Sequence, residues 1–456
     1  MLSDSDRLLS VWRRSFSIGW PVSVQASFQT LMRTTDIIVT GLFSPAAVAA
    51  LGLADVYAEL VMRLGNGLGA GAIALSSQDT GSGATANRDE AITQALLLGF
   101  LAGVPFVVFG LLFGRQAIAF LGASPKVSRL GGDYLAVIFL AAPARHMALI
   151  GVKALQGTGD TRTPMRITIA ANVINITASV VLGLGLGPAP QLSIFGVGLG
   201  TAVANTFTAG AIVVAIWIDR TPLSLTRPAD LTITRQLVTV STPMFAEGLS
   251  QTLIYFPFNA LLLLFGTNVN AAYQIGRRLR QQFTAPIYRA YATGGSIMVG
   301  QQLGAEDPDS ARFNGWAVIA LSALTLGLIG TVVFVGAKWI VLIFTRDPAT
   351  LQYAIGFTRA FAVASVFLGL YFTVRGALQG AGETRVPFAA RLTGSVFLLL
   401  GFSYVTSVTL GYGVLGIYAG VVLSSVWMMA VVLYGFSRGS WDAHAAAMIE
   451  ERASHS

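Results

Sequence analysis

Asp36 is the residue whose setting most invites chemistry. It stands about twenty residues into an apolar run that begins near Phe16, roughly 30 Å along a helix by rise. A carboxylate inside hydrocarbon costs ~2.5–3.5 kcal/mol on insertion scales, so such a residue serves an ion pathway or is held by a partner. Gln25, Gln29, Arg33, Asp36 and Thr40 follow at steps of 4, 4, 3 and 4, which puts all five on one helical face. Two compatible readings follow: a structural ion pair with Arg33 one turn earlier, or a carboxylate that binds and releases a cation. Further on, Thr168, Asn172, Asn175 and Ser179 form a second polar stripe, and Thr201, Asn205 and Thr208 a third. Polar side chains of this kind can simply pin buried helices together, at ~0.6–2 kcal/mol per hydrogen bond. Three stripes in one half of the chain, one bearing a carboxylate, favour a shared polar pocket. Gln29, Thr168, Asn172 and Asn175 would line it on the substrate side.

A second group of charges sits at Asp55, Glu59 and Arg63, each four residues apart, with Arg277, Arg278 and Arg280 later in the chain. The plain reading is an i,i+4 Glu59–Arg63 pair and arginines that snorkel to an interface. The alternative is an inter-lobe gate in which Asp55 and Glu59 of one half meet Arg277 and Arg278 of the other. The three histidines, His146, His444 and His455, are too scattered to make a metal site. Gly65-Asn-Gly-Leu-Gly-Ala-Gly71 lacks the lysine of a phosphate loop, so no nucleotide site or ATP-driven pump is expected. No cysteine is present to act as thiolate ligand or nucleophile.

The elements that must position these residues are membrane helices. Of 456 residues, 54% are hydrophobic and 11% charged, against roughly 25% charged in a soluble domain. Twelve apolar runs begin near Phe16, Ala46, Ile92, Val127, Thr163, Ile194, Leu237, Ala271, Trp316, Leu351, Val386 and Val414. Each is long enough to cross a bilayer as a helix, and none alternates as a barrel strand would. Pro21 falls inside the first run and predicts a helix kink. The net charge of +8 is spread over short loops rather than gathered into a nucleic-acid patch. Lys and Arg concentrate on one side of the twelve spans, which predicts cytoplasmic termini in a multi-pass plasma-membrane protein.

The chain repeats itself. Ala154-Leu-Gln-Gly-Thr-Gly-Asp-Thr-Arg-Thr-Pro164 recurs as Ala377-Leu-Gln-Gly-Ala-Gly-Glu-Thr-Arg-Val-Pro387, an offset of 223. At 222, Pro21 falls on Pro243 and Gln29 on Gln251. Six spans per repeat give both halves the same topology, related about an axis along the membrane normal. The expected organisation is an N-terminal lobe over 1–220, a cytoplasmic linker over 221–234, a C-terminal lobe over 235–437 and a polar tail over 438–456.

These residues resemble those of multidrug and toxic compound extrusion (MATE) transporters, most closely the DinF-like branch. The resemblance rests on Trp20-Pro21 with Asp36 fifteen residues on in Thr34-Thr-Asp-Ile-Ile-Val-Thr-Gly41, on Gly157-Thr-Gly-Asp-Thr-Arg-Thr-Pro164 and on Gly196-Val-Gly-Leu-Gly-Thr201. Ala272-Tyr-Gln-Ile275 and Val299-Gly-Gln-Gln-Leu-Gly-Ala305 complete it. It implies an all-α, V-shaped fold of two six-helix bundles and export of cationic or amphipathic organic compounds in exchange for H⁺ or Na⁺. No enzymatic activity and no cofactor beyond the transported ion are implied, and the protein would act as a monomer in the bilayer. The resemblance places Asp36, Asn175 and Thr201 at an N-lobe cation site. This chain has Ser179 where related members often carry a second acid. One carboxylate can cycle one proton but makes a poor sodium cage, so H⁺ is the expected coupling ion. The family's NorM-like branch has a glutamate at the position of Gln251, so the C-half cation site looks absent or displaced. The alternatives are a lipid-linked precursor flippase of the same superfamily and, from another class, a membrane-embedded enzyme.

Overall fold

The computed structural model describes residues 4–229 and 231–454, and within them the regular structure is all helix, joined by short connections and one longer link after Trp217. α1 runs Asp4–Gly41, α2 Pro45–Ser82, α3 Thr85–Phe120, α4 Pro125–Leu140, α5 Ala142–Gly157, α6 Arg162–Leu184 and α7 Ser193–Trp217. The second half continues with α8 Leu231–Leu264, α9 Thr267–Phe283, α10 Ala285–Gly304, α11 Pro308–Val341 and α12 Pro348–Gly380. α13 is Arg385–Thr409, α14 Val414–Arg438 and α15 Trp441–Ala453. Eight helices are long and apolar enough to cross a membrane, and the bent pair α4–α5 makes a ninth. α1, α8 and the broken pair α9–α10 are less apolar, through glutamines and hydroxyls in α1 and α8 and through arginines in α9–α10, and with them the spans number twelve.

Starts and stops follow local chemistry. The Ser44 side chain accepts from the Ala47 N–H at the head of α2, Asp307 from Ser310 N–H at α11, and Asp347 from Thr350 N–H at α12. In each case a proline follows the cap, where its missing N–H costs nothing. The repeat extends to the helix ends. Adding the offset of 223 to Thr85, Pro125, Gly157 and Arg162 gives Pro308, Pro348, Gly380 and Arg385, all helix boundaries.

The halves differ in where a span breaks. The second half's Pro286 breaks its second span, at Thr284 between α9 and α10. The first half's Pro143 breaks its fourth, at Ala141, and there α4 and α5 meet at 51°. Each proline removes a backbone donor and disfavours helix just before it. The repeat partners of the two prolines are Leu64 and Val366, and α2 and α12 run unbroken through them. α13 is irregular in another way: Gly394–Phe402 and Val405–Thr409 adopt the wider π form, which its repeat partner α6 does not.

The chain divides into two compact units. One, the N-half unit, joins Val24–Phe245 with the chain from Glu450 on; the other, the C-half unit, joins the chain up to Ser23 with Ala246–Ile449. The first turns of α1 therefore belong to the C-half unit, where Trp12 Nε1 donates to the Ala317 carbonyl (2.8 Å) and Arg7 to Ser310 Oγ (2.9 Å). The first turns of α8 belong to the N-half unit, where Gly67 and Gly71 of α2 let Ser241, Leu237 and Phe245 approach closely. The two crossings, after Ser23 and after Phe245, are separated by the repeat offset of 222. Two residues before them stand Pro21 and Pro243, inside α1 and α8. The tail forms α15. Trp441 stacks on Phe436 in the C-half unit (5.0 Å, 7°), and Arg452 is buried in the N-half unit against Asp79 (2.7 Å) and Gln78 (3.0 Å).

The N-half unit's core gathers Ala50, Ala54, Val61, Ile118, Leu135, Phe139 and Val197. The C-half unit's largest cores centre on Tyr371, Leu378 and Phe436, and on Phe258, Phe357 and Tyr273. Large apolar side chains such as Leu112, Leu328, Val332 and Trp339 are more than 60% exposed. In water that would mark an interface, and on spans of this length it is the face offered to lipid.

Candidate functional site

Within the N-half unit the three polar stripes converge. Asp36 of α1 is 8% exposed, Asn175 and Ser179 of α6 are 1% and 0%, and Thr201 of α7 is half-buried. The Asn175 side-chain amide donates to Thr201 Oγ1 (3.1 Å), and Ser179 Oγ donates to Asn175 Oδ1 (3.4 Å). Ser179 Oγ also reaches Asp36. Thr201 completes the line by donating to the Val197 carbonyl (3.3 Å). Gly200 makes the convergence possible. A Cβ there would lie 2.7 Å from Ser179 Oγ, 2.9 Å from Ser179 N and 3.1 Å from the Asn175 carbonyl. Only a residue without a side chain lets α7 lie this close to α6.

One carboxylate oxygen of Asp36 has no hydrogen-bond partner among the described residues, and neither do Thr40 Oγ1 nor Asn172 Nδ2. Buried polar atoms in folded proteins are nearly always paired, and these three belong to the polar stripes of α1 and α6.

A second chain of hydrogen bonds continues along α1, α5 and α6. Gln25 Nε2 donates to Thr168 Oγ1 (2.9 Å), Gln156 Nε2 to Gln25 Oε1 (3.4 Å) and Lys153 Nζ to Gln156 Oε1 (3.0 Å). The stripes on α1 and α6 led to Gln25 and Thr168. Lys153 and Gln156 had no such signal beyond Gln156's place in the repeated loop motif, because the partner that ties them to this chain of hydrogen bonds, Gln25, lies on another helix. Asn172 is buried beside this set. Gln29 is only half-buried and makes no side-chain hydrogen bond among the described residues. At about 100° per residue, Arg33 is turned ~80° from Gln25 while Asp36 is turned ~20°. That is why Asp36 is buried and Arg33 is exposed. Arg33 instead points a guanidinium nitrogen at Met62 Sδ (3.6 Å), which Arg145 approaches too (3.4 Å). No Arg33–Asp36 ion pair within 4.0 Å occurs among the described residues.

Of the charges read as a gate, Glu59 pairs with Arg63 at 3.4 Å, as their spacing predicts. Asp55 lies within electrostatic reach of Arg33 and Arg145. Arg277 lies over the ring of Tyr255 (4.7 Å), and Arg278 is exposed. Asp55 and Glu59 belong to the N-half unit, Arg277 and Arg278 to the C-half unit. His146 is fully buried, its Nε2 facing the Val61 carbonyl at 2.9 Å and its Nδ1 the Gly99 carbonyl at 3.3 Å. No cluster of metal-ligating side chains occurs among the described residues, and His455 lies outside them.

The C-half unit holds a different polar group, which the sequence reading did not assemble. Glu247 of α8 accepts from Arg375 Nε (2.9 Å) and from Tyr371 OH (2.9 Å), both on α12. Arg391 of α13 lies over the Tyr371 and Phe372 rings, each at 5.8 Å.

The chain is 29% identical to the "Probable multidrug resistance protein NorM" of Rhodopseudomonas palustris, an alignment covering 96% of this chain and 95% of that one. A crystal structure of MATE in the bent conformation superposes with a TM-score of 0.87 at 19% identity, over 99% of this chain and all of the other. A crystal structure of MATE in the straight conformation gives 0.86 at 19%, over 96% and 97%. These likenesses establish the fold. The MatE family profile matches twice, at residues 21–181 and 243–405, so that its two starts are Pro21 and Pro243, one repeat offset apart. With most of the chain matched and the twelve spans folded as in solved members, the chain belongs to the MatE family of membrane transporters.

Proposed function

We propose that the chain is a secondary multidrug antiporter, exporting cationic or amphipathic organic compounds in exchange for protons, with Asp36 as the coupling carboxylate. The names of its NorM relatives support the substrate class. The observation that carries the coupling reading is a buried carboxylate with one oxygen unpartnered and no ion pair among the described residues. Ser179 has one hydroxyl proton to share between Asn175 Oδ1 and the Asp36 carboxylate, while the Asn175 amide is aimed at Thr201. An ionised Asp36 draws that proton; a protonated Asp36 can itself donate and release it to Asn175. Gain or loss of the Asp36 proton thus re-pairs the groups that join α1 to α6, and that differential gives an ion gradient purchase on a conformational equilibrium. A sodium ion would want several free oxygens with net negative charge, and here the Asn175 oxygen is already engaged and Ser179 supplies no charge. Cytoplasmic termini and a plasma-membrane location accompany this reading.

The test is purified protein in liposomes with an imposed ΔpH or ΔpNa and a fluorescent organic cation. Export driven by ΔpH, insensitive to sodium and abolished in folded Asp36→Asn protein, is the expected result. Sodium-dependent export at fixed pH would overturn proton coupling. Wild-type export by Asp36→Asn would overturn the role of Asp36.

A further inference from the structure

Three helices pass from one compact unit to the other: α1 after Ser23, α8 after Phe245 and α15 after Ile449. α1 and α8 carry Pro21 and Pro243 two residues before they cross, and a proline inside a helix is a place where the helix bends. α15, Trp441-Asp-Ala-His-Ala-Ala-Ala-Met-Ile-Glu-Glu-Arg-Ala453, has neither proline nor glycine, and it is rich in alanine, the best helix former. An antiporter exposes its site to the two sides of the membrane in turn by moving one repeat against the other. A crossing helix that does not bend must let go at one end.

The two ends of α15 are held differently. At its start, in the C-half unit, Trp441 is buried and stacked on Phe436, Ala445 is buried in the same core, and Arg312 pairs with Asp442 (2.7 Å). A two-residue link to α14 also ties this end. At the far end, in the N-half unit, the hold is polar. Arg452 donates to Asp79 Oδ1 through Nε (3.0 Å) and Nη2 (2.7 Å), to Gln78 Oε1 (3.0 Å) and to Gln236 Oε1. Its carbonyl accepts from Asn87 Nδ2 (3.4 Å). Beside it Glu451 accepts from Gln236 Nε2 (2.7 Å) and from Arg235. Asp79 Oδ2 has no partner among the described residues. Water can replace hydrogen bonds when this end lifts, but it cannot replace the burial of Trp441. The arginine is also one that the repeat lacks here. In the C-half unit Arg14 of α1 donates to Gln301 of α10 (2.6 Å). The offsets of 222 and 223 make Gln236 and Gln78 their N-half counterparts. With a glutamine where α1 has an arginine, the N-half unit takes its guanidinium from α15.

We propose that α15 is a releasable strap: Arg452 locks it onto α2 and α8 of the N-half unit in one state of the transport cycle, and the cycle turns only when that lock opens. The inference rests on the antiporter reading, which requires the units to move. A buried ion pair suits a lock of this kind. Its attraction is set against the desolvation of both charges, so it holds only while its geometry and its accessory hydrogen bonds are intact. Gln78 and Asp79 lie on α2 and Gln236 on α8, so a shift of the first turns of α8 along α2 breaks the set that satisfies Arg452.

The experiment uses the full chain, which has no cysteine of its own, with Arg235→Cys and Glu451→Cys introduced together. These side chains touch and are 68% and 34% exposed, so a short, membrane-permeant bis-methanethiosulfonate can bridge them while Arg452 and Asp79 stay intact. In liposomes with an imposed ΔpH and a fluorescent organic cation, bridging is expected to bring export down to the level of empty liposomes, and reduction to restore it. Neither single-cysteine protein should respond to the reagent. Export by the bridged protein at its rate before bridging would show that release is not needed and would overturn the strap. The lock itself is read as the rate of bridging in nanodiscs. Arg452→Gln and Asp79→Asn, each placed in the double-cysteine chain, are expected to slow it at least about tenfold, in line with the loss of one partner of a buried pair, and Arg452→Lys should retain part of it. A rate unchanged in both Arg452→Gln and Asp79→Asn overturns Arg452 as the lock. Failure of the antiporter reading would show separately, as export that survives Asp36→Asn and is still stopped by bridging.

Discussion

The two repeats place different chemistry at matching positions. Through the offsets of 222 and 223, Asp36 corresponds to Phe258, Asn175 to Leu398, Ser179 to Phe402 and Thr201 to Ser424. The acid and its amide are thus replaced in the C-half by apolar side chains, and Phe258 is 1% exposed in the core. One helical turn or more away the substitution runs the other way: Gln25 corresponds to Glu247, Thr168 to Arg391, Ala148 to Tyr371 and Val152 to Arg375. A neutral Gln25–Thr168 hydrogen bond in one half answers to a buried ion pair in the other. Duplication supplied one scaffold, and the sequence then divided the labour. The N-half's Asp36 has no ion pair among the described residues, which is what the proposed coupling role requires. The C-half's Glu247 is paired with Arg375, which holds α8 to α12.

The comparison can be broken or sharpened by substitution, beginning with the largest effect. Asp36→Asn should reduce ΔpH-driven export to the level of empty liposomes while leaving the unfolding midpoint near wild type, because it removes a charge from the bilayer and no ion pair. Glu247→Ala should do the reverse. It strands the guanidinium of Arg375 and is expected to destabilise by ~3–5 kcal/mol, read as a lowered denaturation midpoint, with sodium-independent coupling retained by the protein that folds. Loss of coupling at full stability in Glu247→Ala would place the exchanging acid in the C-half and refute the division.

Gly200→Ala should cost ~1–3 kcal/mol by overpacking, since the new methyl meets backbone atoms of α6 as well as Ser179 Oγ. It should also weaken coupling by prising Thr201 from Asn175. Its C-half counterpart Leu423, 40% exposed, should accept alanine at less than half that cost. Equal costs, measured by thermal unfolding, would mean that the close approach of α7 to α6 is not special to the coupling half. The smallest effect is a gain. Ser179→Asp supplies a second carboxylate beside Asp36 and should introduce a few-fold stimulation of export by sodium; no response to sodium would show that charge count does not decide the ion.

Much of this was legible before folding. Hydropathy and helical periodicity are local properties, so the twelve spans, the repeat and the buried faces of α1, α6 and α7 could be read from residue spacing. So, in principle, could the two breaks, since Pro143 and Pro286 announce themselves, though twelve runs alone do not say that two of them bend. Periodicity overreached at Gln29 and Arg33: steps of four residues drift round the helix by ~40° each, enough to carry Arg33 out of the buried face.

The sequence by itself determined which residues share a face and where each helix begins, because hydrogen bonds within a helix and the hydrocarbon thickness act over a few residues. Only the tertiary structure decided what lies opposite each face. Glu247 meets Arg375 across 128 residues of chain, Arg452 meets Asp79 across 373, and the first turns of α1 and α8 each pack in the unit of the other repeat. No local energy selects those partners. They are chosen by packing among many helices of nearly equal apolarity, where a glycine such as Gly200 settles which polar group is satisfied and which, like one oxygen of Asp36, has no partner among the described residues.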